Sequence, residues 1–456
     1  MCWQEGEQAI VQDDQSIQTH VLADAGLIRR RTVLKALLGL SCALPLGGVT
    51  AYATDSSDED FLDDLSRRSF QFFIDHAGPS GIIRDRARTD GPPSGPHEAV
   101  GSIAATGFGL TGLCIAAERG WLSRTEARER VRRTLAMFAR QASVHGWFHH
   151  FLDIRTGSRT WNSEVSSIDT ALLLAGVLTA KQAWAGDGEI AEHASAIVDR
   201  VNYQWMLDGH PTLLSHGWYP ETGFIAHRWD DYSELMLLYV LGLGSSNAPL
   251  PEASWRAWGR PAIEYAGIRY VGREALFVHQ YTHAWVDFRG WRDPGDPYDW
   301  HENSVRATRA HRQFCFDIAR EFPGCYDDPI WGITASDTRA GYKALSGPPR
   351  TPGIDGTVAP CAAAGSLMFA PDITLSALRA MKKRFGDRIY GRYGFADAFH
   401  PSTGWVNKDV IGINLGITLL AAENLRSGCV WQWFMRNPEV VRGLQRAGFT
   451  RAPIAA

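Results

Sequence analysis

The chain reads Ser163-Glu164-Val165-Ser166-Ser167-Ile168-Asp169-Thr170-Ala171 at the point where an aromatic-rich loop gives way to an apolar run ending at Leu178. Ser166 is a good helix cap, and Asp169, three residues later, completes the pattern of a capping box. The junction therefore predicts an apolar helix that begins here, with an acidic side chain in its first turn.

Helical periodicity dominates the rest of the chain, and strand-like alternation is nearly absent. Capping pairs also stand at Ser123 with Glu126 and at Asp231 with Glu234. The predicted helices span roughly 58–77, 99–118, 123–142, 164–185, 188–207, 231–242, 252–266, 301–320, 357–384 and 409–435. Long loops rich in Gly, Pro, Trp and Asp separate them, and loops of this length usually build a site. We expect an all-α fold in which helical hairpins close into a ring, as one domain over residues 54–456.

The amino-acid composition excludes some classes of function and favours others. The 456 residues are 45% hydrophobic and 21% charged, an ordinary globular balance. The net charge of −4 gives no electrostatic footprint for nucleic acid. Seventeen Trp exceed what packing alone needs and are typical of concave sites that stack sugar rings. No nucleophile elbow or P-loop is present, and the glycines of 107–112 indicate close helix packing rather than a dinucleotide site.

The first 53 residues have the pattern of a twin-arginine signal peptide. Arg30–Lys35 carries the twin arginine, Ala36–Val49 is apolar, and Ala51–Ala53 is a small-residue cleavage site. The apolar run is interrupted by Pro45 and is too short for a membrane anchor. The sequence therefore predicts a periplasmic or secreted protein that is not held in the membrane after cleavage.

Five cysteines follow the predicted cleavage site, at positions 114, 315, 325, 361 and 429. An odd number without regular spacing fits neither a disulfide framework nor a zinc site. Most are expected to be small buried hydrophobic residues. A bridge between Cys315 and Cys325 stays open, because the chain can turn back between them.

Two acids in first turns have competing interpretations. Asp169 is either a capping-box acid or a functional carboxylate, and the capping role is at least as well supported by the sequence. Glu234 could likewise cap with Asp231. It also stands among aromatic residues such as Trp218 and Tyr232, where a raised pKa and proton donation are expected.

Two further stretches offer polar groups. His279, His283 and Asp287 are spaced to share a helix face. A metal site is disfavoured because no third strong ligand accompanies the pair of histidines. Hydrogen bonds from these side chains and Arg289 to sugar hydroxyls are the favoured interpretation. Asp397 lies in a loop rich in glycine and aromatic residues and has no helix to cap, although an Asx turn remains an alternative.

Seven stretches in order resemble the bacterial glucoamylase-like family that includes endo-β-1,2-glucanases and sophorose-releasing enzymes. The likeness covers nearly the whole chain from Phe61 to Phe449. The stretches that carry it are 163–171, 232–236 with 243–245, 279–281 with 287–290, 331–337, 355–357 with 359–360, 393–399, and 423–424 with 426–428.

The resemblance implies an (α/α)6 toroid of six helical hairpins with long active-site loops, and inverting, metal-independent hydrolysis of a β-linked glucan, most simply β-1,2-glucan, without a cofactor. By analogy with similar toroids, Glu234 would be the acid, Asp397 the base, and Asp169 would orient water or a hydroxyl; an exchange of roles between Asp169 and Asp397 is an alternative. Inversion requires the two carboxyls to lie roughly 6.5–9.5 Å apart. The predicted substrate contacts are Glu164, Trp218, Tyr232, Tyr281, His283, Asp287, Arg289, Trp331, Phe395 and Trp405.

Two other functions use the same residues. A polysaccharide lyase on a helical toroid would employ Tyr281, His283 and Arg289, but the cleft of a lyase acting on uronates should be basic, and these loops carry many Asp. A glycan-binding protein without catalysis would keep the aromatic residues and lose the acids, whereas here the acids are present.

Overall fold

The computed structural model describes residues 56–89, 91, 95–273, 275–294 and 298–452. The predicted signal segment, 1–53, lies outside the described residues. The helices are α1 (Ser56–Asp75), α2 (Ile103–Arg119), α3 (Arg124–Arg140), α4 (Ser167–Ala183), α5 (Gly188–Val198), α6 (Tyr203–Met206), α7 (Leu235–Gly244), α8 (Ser254–Ala257), α9 (Tyr281–Trp285), α10 (Trp300–Asp317), α11 (Pro360–Ala364), α12 (Pro371–Phe385), α13 (Gly412–Arg426), α14 (Cys429–Phe434) and α15 (Pro438–Arg446).

Six helices form an inner ring, because their side chains are buried almost all the way round. They are α2, α4, α7, α9, α11 and α13. Helices such as α1, α3, α5, α10 and α12 bury one face only and pack outside the ring. The result is the predicted helical toroid, in which apolar inner helices alternate with amphipathic outer ones.

Hydrogen bonds and close contacts trace the ring from one inner helix to the next. At the α2–α4 contact, a methyl group on Gly176 would lie 2.1 Å from the Gly107 carbonyl oxygen, so these helices touch through their backbones, which confirms the packing role predicted for the glycines of 107–112. Thr282 of α9 donates to the Glu234 carbonyl at the start of α7, at 3.1 Å. Gln280 donates to Ala362 of α11 at 2.9 Å.

The inner helices begin at the same end of the molecule. The Asp85 carbonyl accepts a hydrogen bond from the amide of Gly412, the first residue of α13. The Asp85 amide donates to the carbonyl of Val100, just before α2. The amide of Ser167 at the start of α4 bonds to His216, and the Trp229 side chain bonds to Ser167. The starts of α13, α2, α4 and α7 are therefore neighbours, and the long loops gather around them.

Short strands decorate this end and the outer surface. They are β1 (Ile83–Arg84), β2 (Arg86–Arg88), β3 (Val100–Ser102), β4 (Phe151–Asp153), β5 (Val165–Ser166), β6 (Gly217–Tyr219), β7 (Gly223–Phe224), β8 (Ala262–Tyr265), β9 (Ile268–Val271), β10 (Trp291–Arg292), β11 (Ala335–Thr338), β12 (Gly341–Ala344), β13 (Tyr390–Gly391), β14 (Gly394–Phe395), β15 (Phe399–His400), β16 (Trp405–Val406), β17 (Asp409–Ile411) and β18 (Thr450–Arg451). All pairings between them are antiparallel, and β17 pairs with β2, joining the last inner helix to the first loop.

Several helix predictions were wrong in detail. The segment 252–266 holds only the short α8 and then the first strand of the β8–β9 hairpin. The segment 357–384 is divided between α11 and α12, and α9 and α15 were not predicted. Ser123 caps α3 and Ser166 caps α4 as predicted, whereas Asp231 does not cap α7.

The five cysteines of the described chain are free, so Cys315 and Cys325 are not bridged. Four are buried, as predicted, and Cys429 is half-buried. Within the ranges that the structure describes, no helix has both the length and the apolar character needed to cross a membrane.

Candidate active site

Buried carboxylates collect at the end of the ring where the inner helices begin. The side chains concerned are Asp85, Glu164, Asp169, Glu234, Asp337 and Asp397, and each is less than one-tenth exposed. Carboxylates are rarely buried without partners, because desolvation penalises the charged form. Their partners and their protonation states therefore define what this end of the ring can do.

Glu234 occupies the position immediately before α7, and its side chain does not cap that helix. Asp231, the suggested capping partner, instead forms an ion pair with Arg273. Burial raises the pKa of Glu234 to about 8, and the charge of Asp169 adds to the effect, while a hydrogen bond from its own backbone amide opposes it. At neutral pH this carboxyl is protonated, the state of a proton donor.

A cavity of about 640 Å³ opens beside Glu234. Its walls combine aromatic, imidazole and charged groups, among them His210, His216, His227, Arg228 and Trp229. The His216 and Trp229 rings stack at a centroid distance of 4.0 Å. A volume of this size can hold a small oligosaccharide, and the mixture of polar groups and ring faces suits sugar hydroxyls and sugar rings.

Asp169 and Glu164 share a buried histidine. His150 Nδ1 lies 2.9 Å from Glu164 Oε1 and 3.3 Å from Asp169 Oδ2. Burial alone would lower the pKa of His150, but the two carboxylates outweigh burial and raise this pKa to about 9. Burial raises the pKa of Asp169 to about 6, against the opposing effects of His150 and Ser166.

The Asp169 carboxylate does not complete a capping box, because the Ser166 amide bonds to the Phe148 carbonyl, but it accepts a hydrogen bond from the hydroxyl of Ser166, which caps α4. Ser166 Oγ donates to Asp169 Oδ2 at 2.5 Å and accepts from the Asp169 amide at 3.2 Å. Asp169 Oδ1 is buried with no hydrogen-bond partner, and so is His150 Nε2. A buried polar atom without a partner is costly, so the hydrogen bond with Ser166 does not account for the whole carboxylate.

Asp397 is held from both sides. The Asp337 amide donates to its Oδ2 at 3.0 Å, and Asn414 Nδ2 donates to its Oδ1 at 2.5 Å. Burial, and then the charge of Asp337, raise the pKa of Asp397 to about 7, while these two hydrogen bonds and Arg86 oppose the rise. The donors favour the ionised carboxylate, the state of a general base.

Some predicted substrate contacts lie where a ligand can reach them. Trp218 is half-buried in β6 and packs against the edge of Trp205 at 5.8 Å. Trp405 is half-buried in the β15–β16 hairpin, opposite His400. Phe395, although buried, lines a small cavity that it shares with Asp397.

Other predicted contacts belong to the core. Tyr232 is fully buried and stacks on Trp300 at 5.4 Å. Tyr281 packs beside Phe277, and His283 bonds to Ser304 at 3.2 Å. These side chains and Trp331 are buried and pack within the ring, although Tyr232 also borders the cavity beside Glu234.

Asp287 and Arg289 lie at the opposite end of the ring. They follow the last turn of α9, and their side chains pair with each other at 2.8 Å. The Arg289 guanidinium lies over Trp431, 3.9 Å from the ring centroid. The structure therefore contradicts their assignment as contacts in the same groove as the acids.

The sequence did not identify His150, Arg86, Asp337 or Asn414 as site residues. Only Asn414 carried a usable signal, since it is the third residue of α13 as Asp169 is the third residue of α4. His150 lies on a loop, and Arg86 and Asp337 lie on the short strands β2 and β11, so all three reach the acids only through the fold.

Metal-ligand geometry occurs at a different place from the one considered in the sequence. His279 bonds to the Tyr232 hydroxyl at 3.1 Å, and it shares no cation position with His283 and Asp287. Among the described residues, His150, Glu164 and Asp169 bring one potential ligand atom each within 4.8 Å of one another. His150 Nδ1 is at hydrogen-bond distance from Glu164 Oε1, however, so this nitrogen is already engaged in an ion pair.

Comparison with known proteins agrees with this geometry. Residues 226–438 match the family model described as "Putative glucoamylase". The exo β-1,2-glucooligosaccharide sophorohydrolase (non-reducing end) of Parabacteroides distasonis is 26% identical over 438 positions, covering 87% of this chain and 59% of the relative. The chain thus spans about three fifths of the length of that curated relative.

Two solved structures share the fold over most of the chain. The endo-β-1,2-glucanase of Chitinophaga pinensis, in complex with sophorotriose and glucose, is 26% identical, with a TM-score of 0.78, and the match covers 85% of this chain and 97% of that one. A "putative glucoamylase" of Bacteroides caccae is also 26% identical, with a TM-score of 0.79 and coverage of 86% and 100%. In its toroid, its ordered motifs and these relatives, the chain resembles the glucoamylase-like family.

Proposed function

We propose that the protein is an inverting glycoside hydrolase that cleaves β-1,2-glucan. The observation that carries the proposal is a pair of buried carboxyls at one end of the ring: burial raises the pKa of both, to about 8 for Glu234 and about 7 for Asp397, but only Asp397 receives two donors from other residues that favour its ionised form. The names of the relatives from P. distasonis and C. pinensis supply the linkage.

Glu234 is assigned as the acid and Asp397 as the base. Glu234 borders the cavity, and its raised pKa keeps a proton available for the glycosidic oxygen. Asp397 receives an amide N–H and an amide side chain, which stabilise the carboxylate that must activate water. Asp169, with one oxygen lacking a partner, is assigned to orient that water or a sugar hydroxyl.

A lyase mechanism has less support. Tyr281 and His283 are buried in the core, and Arg289 is paired with Asp287 beyond the far end of the inner helices. A uronate substrate would also meet an end of the ring that is rich in carboxylates, where like charges repel.

The deciding experiment follows the products formed from linear β-1,2-glucan and from a panel of other glucans by chromatography and anomer-resolved NMR. We expect short products with the α-anomer formed first, from β-1,2-glucan alone. Glu234→Gln and Asp397→Asn should each lower kcat at least about 100-fold, the usual contribution of acid–base groups. No product from any glucan, or an unsaturated product from a uronate polymer, would overturn the assignment.

The same proposal includes export. The twin-arginine pattern of Arg30–Lys35, with the apolar run after it, supports export to the periplasm or medium. A fusion of residues 1–53 to a reporter, compared with the variant in which both Arg30 and Arg31 are replaced by Lys, tests it: only the first is expected outside the cytoplasm.

A further inference from the structure

Arg86 is a buried cation on the seam that closes the ring. It lies in β2, which pairs with β17 so that Arg86 faces Ile411, the residue before α13. Its side chain is 11% exposed. Nη1 lies 3.0 Å from Asp337 Oδ2 and Nε 3.5 Å from Asp85 Oδ2. A guanidinium so enclosed is oriented by its carboxylate partners.

Asp337 connects Arg86 to Asp397. Asp337 Oδ2 accepts hydrogen bonds from Arg86 Nη1 and from Asn407 Nδ2, the latter at 2.6 Å. Its backbone amide donates to Asp397 Oδ2 at 3.0 Å. Asp337 thus contacts Arg86 through its side chain and Asp397 through its backbone, and it links the two.

The charges around Arg86 are unbalanced. Asp85, Asp337, Asp397 and Asp409 all act on it, and Asp409 Oδ2 lies 3.8 Å from Nη1. His150, a second cation whose pKa is about 9, and Asp169 act on the cluster through Asp85, and His97 and Tyr342 are the other titratable groups that face it. Burial, and then Arg86, lower the pKa of His97, and burial, and then Asp397, raise the pKa of Tyr342, so neither supplies positive charge at neutral pH.

We propose that Arg86 is a positioning residue for hydrolysis: it holds Asp337 so that the Asp337 amide points at Asp397, and it keeps Asp397 ionised as the base. The inference rests on the proposed function. A purely structural Arg86 would stabilise the β2–β17 seam and leave the proton affinity of Asp397 alone, which makes the two roles separable.

The test compares pH profiles of kcat/KM on linear β-1,2-glucan for the wild type, Arg86→Met and Arg86→Lys. The variant Arg86→Met removes both a cation that lowers the pKa of Asp397 and the partner that holds Asp337, so the pKa of Asp397 should rise by up to about one unit. In Arg86→Met the acid limb should therefore move up by up to about one pH unit, with a loss of up to about tenfold at pH 6 and a smaller loss at pH 8. Arg86→Lys keeps the positive charge but lacks the planar guanidinium, so the midpoint of its acid limb should lie between those of the wild type and Arg86→Met.

Arg119→Met is the matched control. Arg119 is also buried and pairs with Glu423, at the end of the ring where the inner helices finish. This variant should lose thermal stability, but the acid and alkaline limbs of its kcat/KM profile should keep their wild-type midpoints. An Arg86→Met profile that is lower at every pH, with an unmoved acid limb like that of the control, would reduce Arg86 to a structural role.

A second measurement does not depend on turnover. Aspartate labelled with ¹³C at the carboxyl allows Asp397 to be titrated by NMR and assigned by its loss in Asp397→Asn. Its midpoint should rise by up to about one pH unit in Arg86→Met, and an unchanged midpoint would overturn the inference. A wild type that is inactive on all glucans would refute the proposed function, while the titration would still decide the part played by Arg86.

Discussion

Replacing Glu234 by glutamine should remove a pH-dependent cost of folding. The carboxyl has a pKa of about 8 in the folded protein, against an ordinary value of 4.5. Below the lower value it is protonated in both states and costs nothing. As pH rises above it, the unfolded chain releases a proton that the folded protein retains, and the penalty grows until it is complete above the higher value.

The size of the effect follows from these two values. A change from 4.5 to about 8 corresponds to about 5 kcal/mol at full development. Unfolding entropy of about 2 cal/mol/K per residue, over roughly 400 residues, converts this into a rise in Tm of about 6 °C. Glutamine keeps the shape of the side chain and carries no charge, so the variant should gain this much at pH 8.5 and almost nothing at pH 4.5.

Differential scanning calorimetry at pH 4.5, 6.5 and 8.5 measures the difference directly. Glu264→Gln, on an exposed position of β8, is the control and should leave Tm within about 1 °C at each pH, as surface changes usually do. An equal gain for Glu234→Gln at all three pH values, or no gain at pH 8.5, would refute the reasoning. The assay needs no substrate, so it tests the buried acid independently of the assigned reaction.

Three other outcomes are expected. Gly176→Ala should lower stability by about 3 kcal/mol, because its methyl group would lie 2.1 Å from the Gly107 carbonyl oxygen; calorimetry measures this, and an unchanged Tm would contradict the close α2–α4 contact. His150→Gln should raise the pKa of Asp169 further and reduce kcat/KM at pH 6 by at least about tenfold, read from the pH profile; an unmoved profile would show that His150 does not act on Asp169. Incubation with EDTA should leave kcat unchanged, because His150 Nδ1 is already paired with Glu164 at 2.9 Å; restoration of lost activity by an added divalent cation would show that the cluster holds a metal.

The inner helices were predictable because each signal was local. The α4 junction has its cap and its first-turn acid within four residues, and burial on all sides requires the apolar sequence that follows. Asp169 and Glu234 could therefore be placed at helix starts without knowledge of the fold.

Arg86 and Asp397 illustrate what a local pattern omits. They belong to opposite ends of the chain, and what joins them is the β2–β17 pairing, with Asp337 from a third loop between them. Nothing within a few residues of Arg86 distinguishes it from a surface arginine. Its role depends on three separate segments meeting, which only tertiary packing decides.

The error at 252–266 has a local cause. The β8–β9 hairpin turns through Ala266 and Gly267, which both have positive φ, at 50° and 75°. Two-residue hairpin turns of this kind favour Asn or Asp before the glycine. Alanine in that place removed the usual turn signal, and the residues of β8 before it were assigned to the end of a helix predicted over 252–266.

The starts of the inner helices do not by themselves set the state of the acids. A helix N-terminus stabilises a carboxylate by about 0.3–1 kcal/mol, and by about 2 kcal/mol in favourable geometry. Burial outweighs this at Glu234, where the rise in pKa to about 8 corresponds to about 5 kcal/mol. What separates the two carboxyls is their donors: Asp397 receives the Asp337 amide and Asn414, whereas Glu234 has its own amide and an open cavity. In the proposed mechanism the acid and base are thus distinguished by hydrogen bonds from separate segments, β11 and α13, and changes that remove those donors should exchange or abolish the two roles while the ring stays intact.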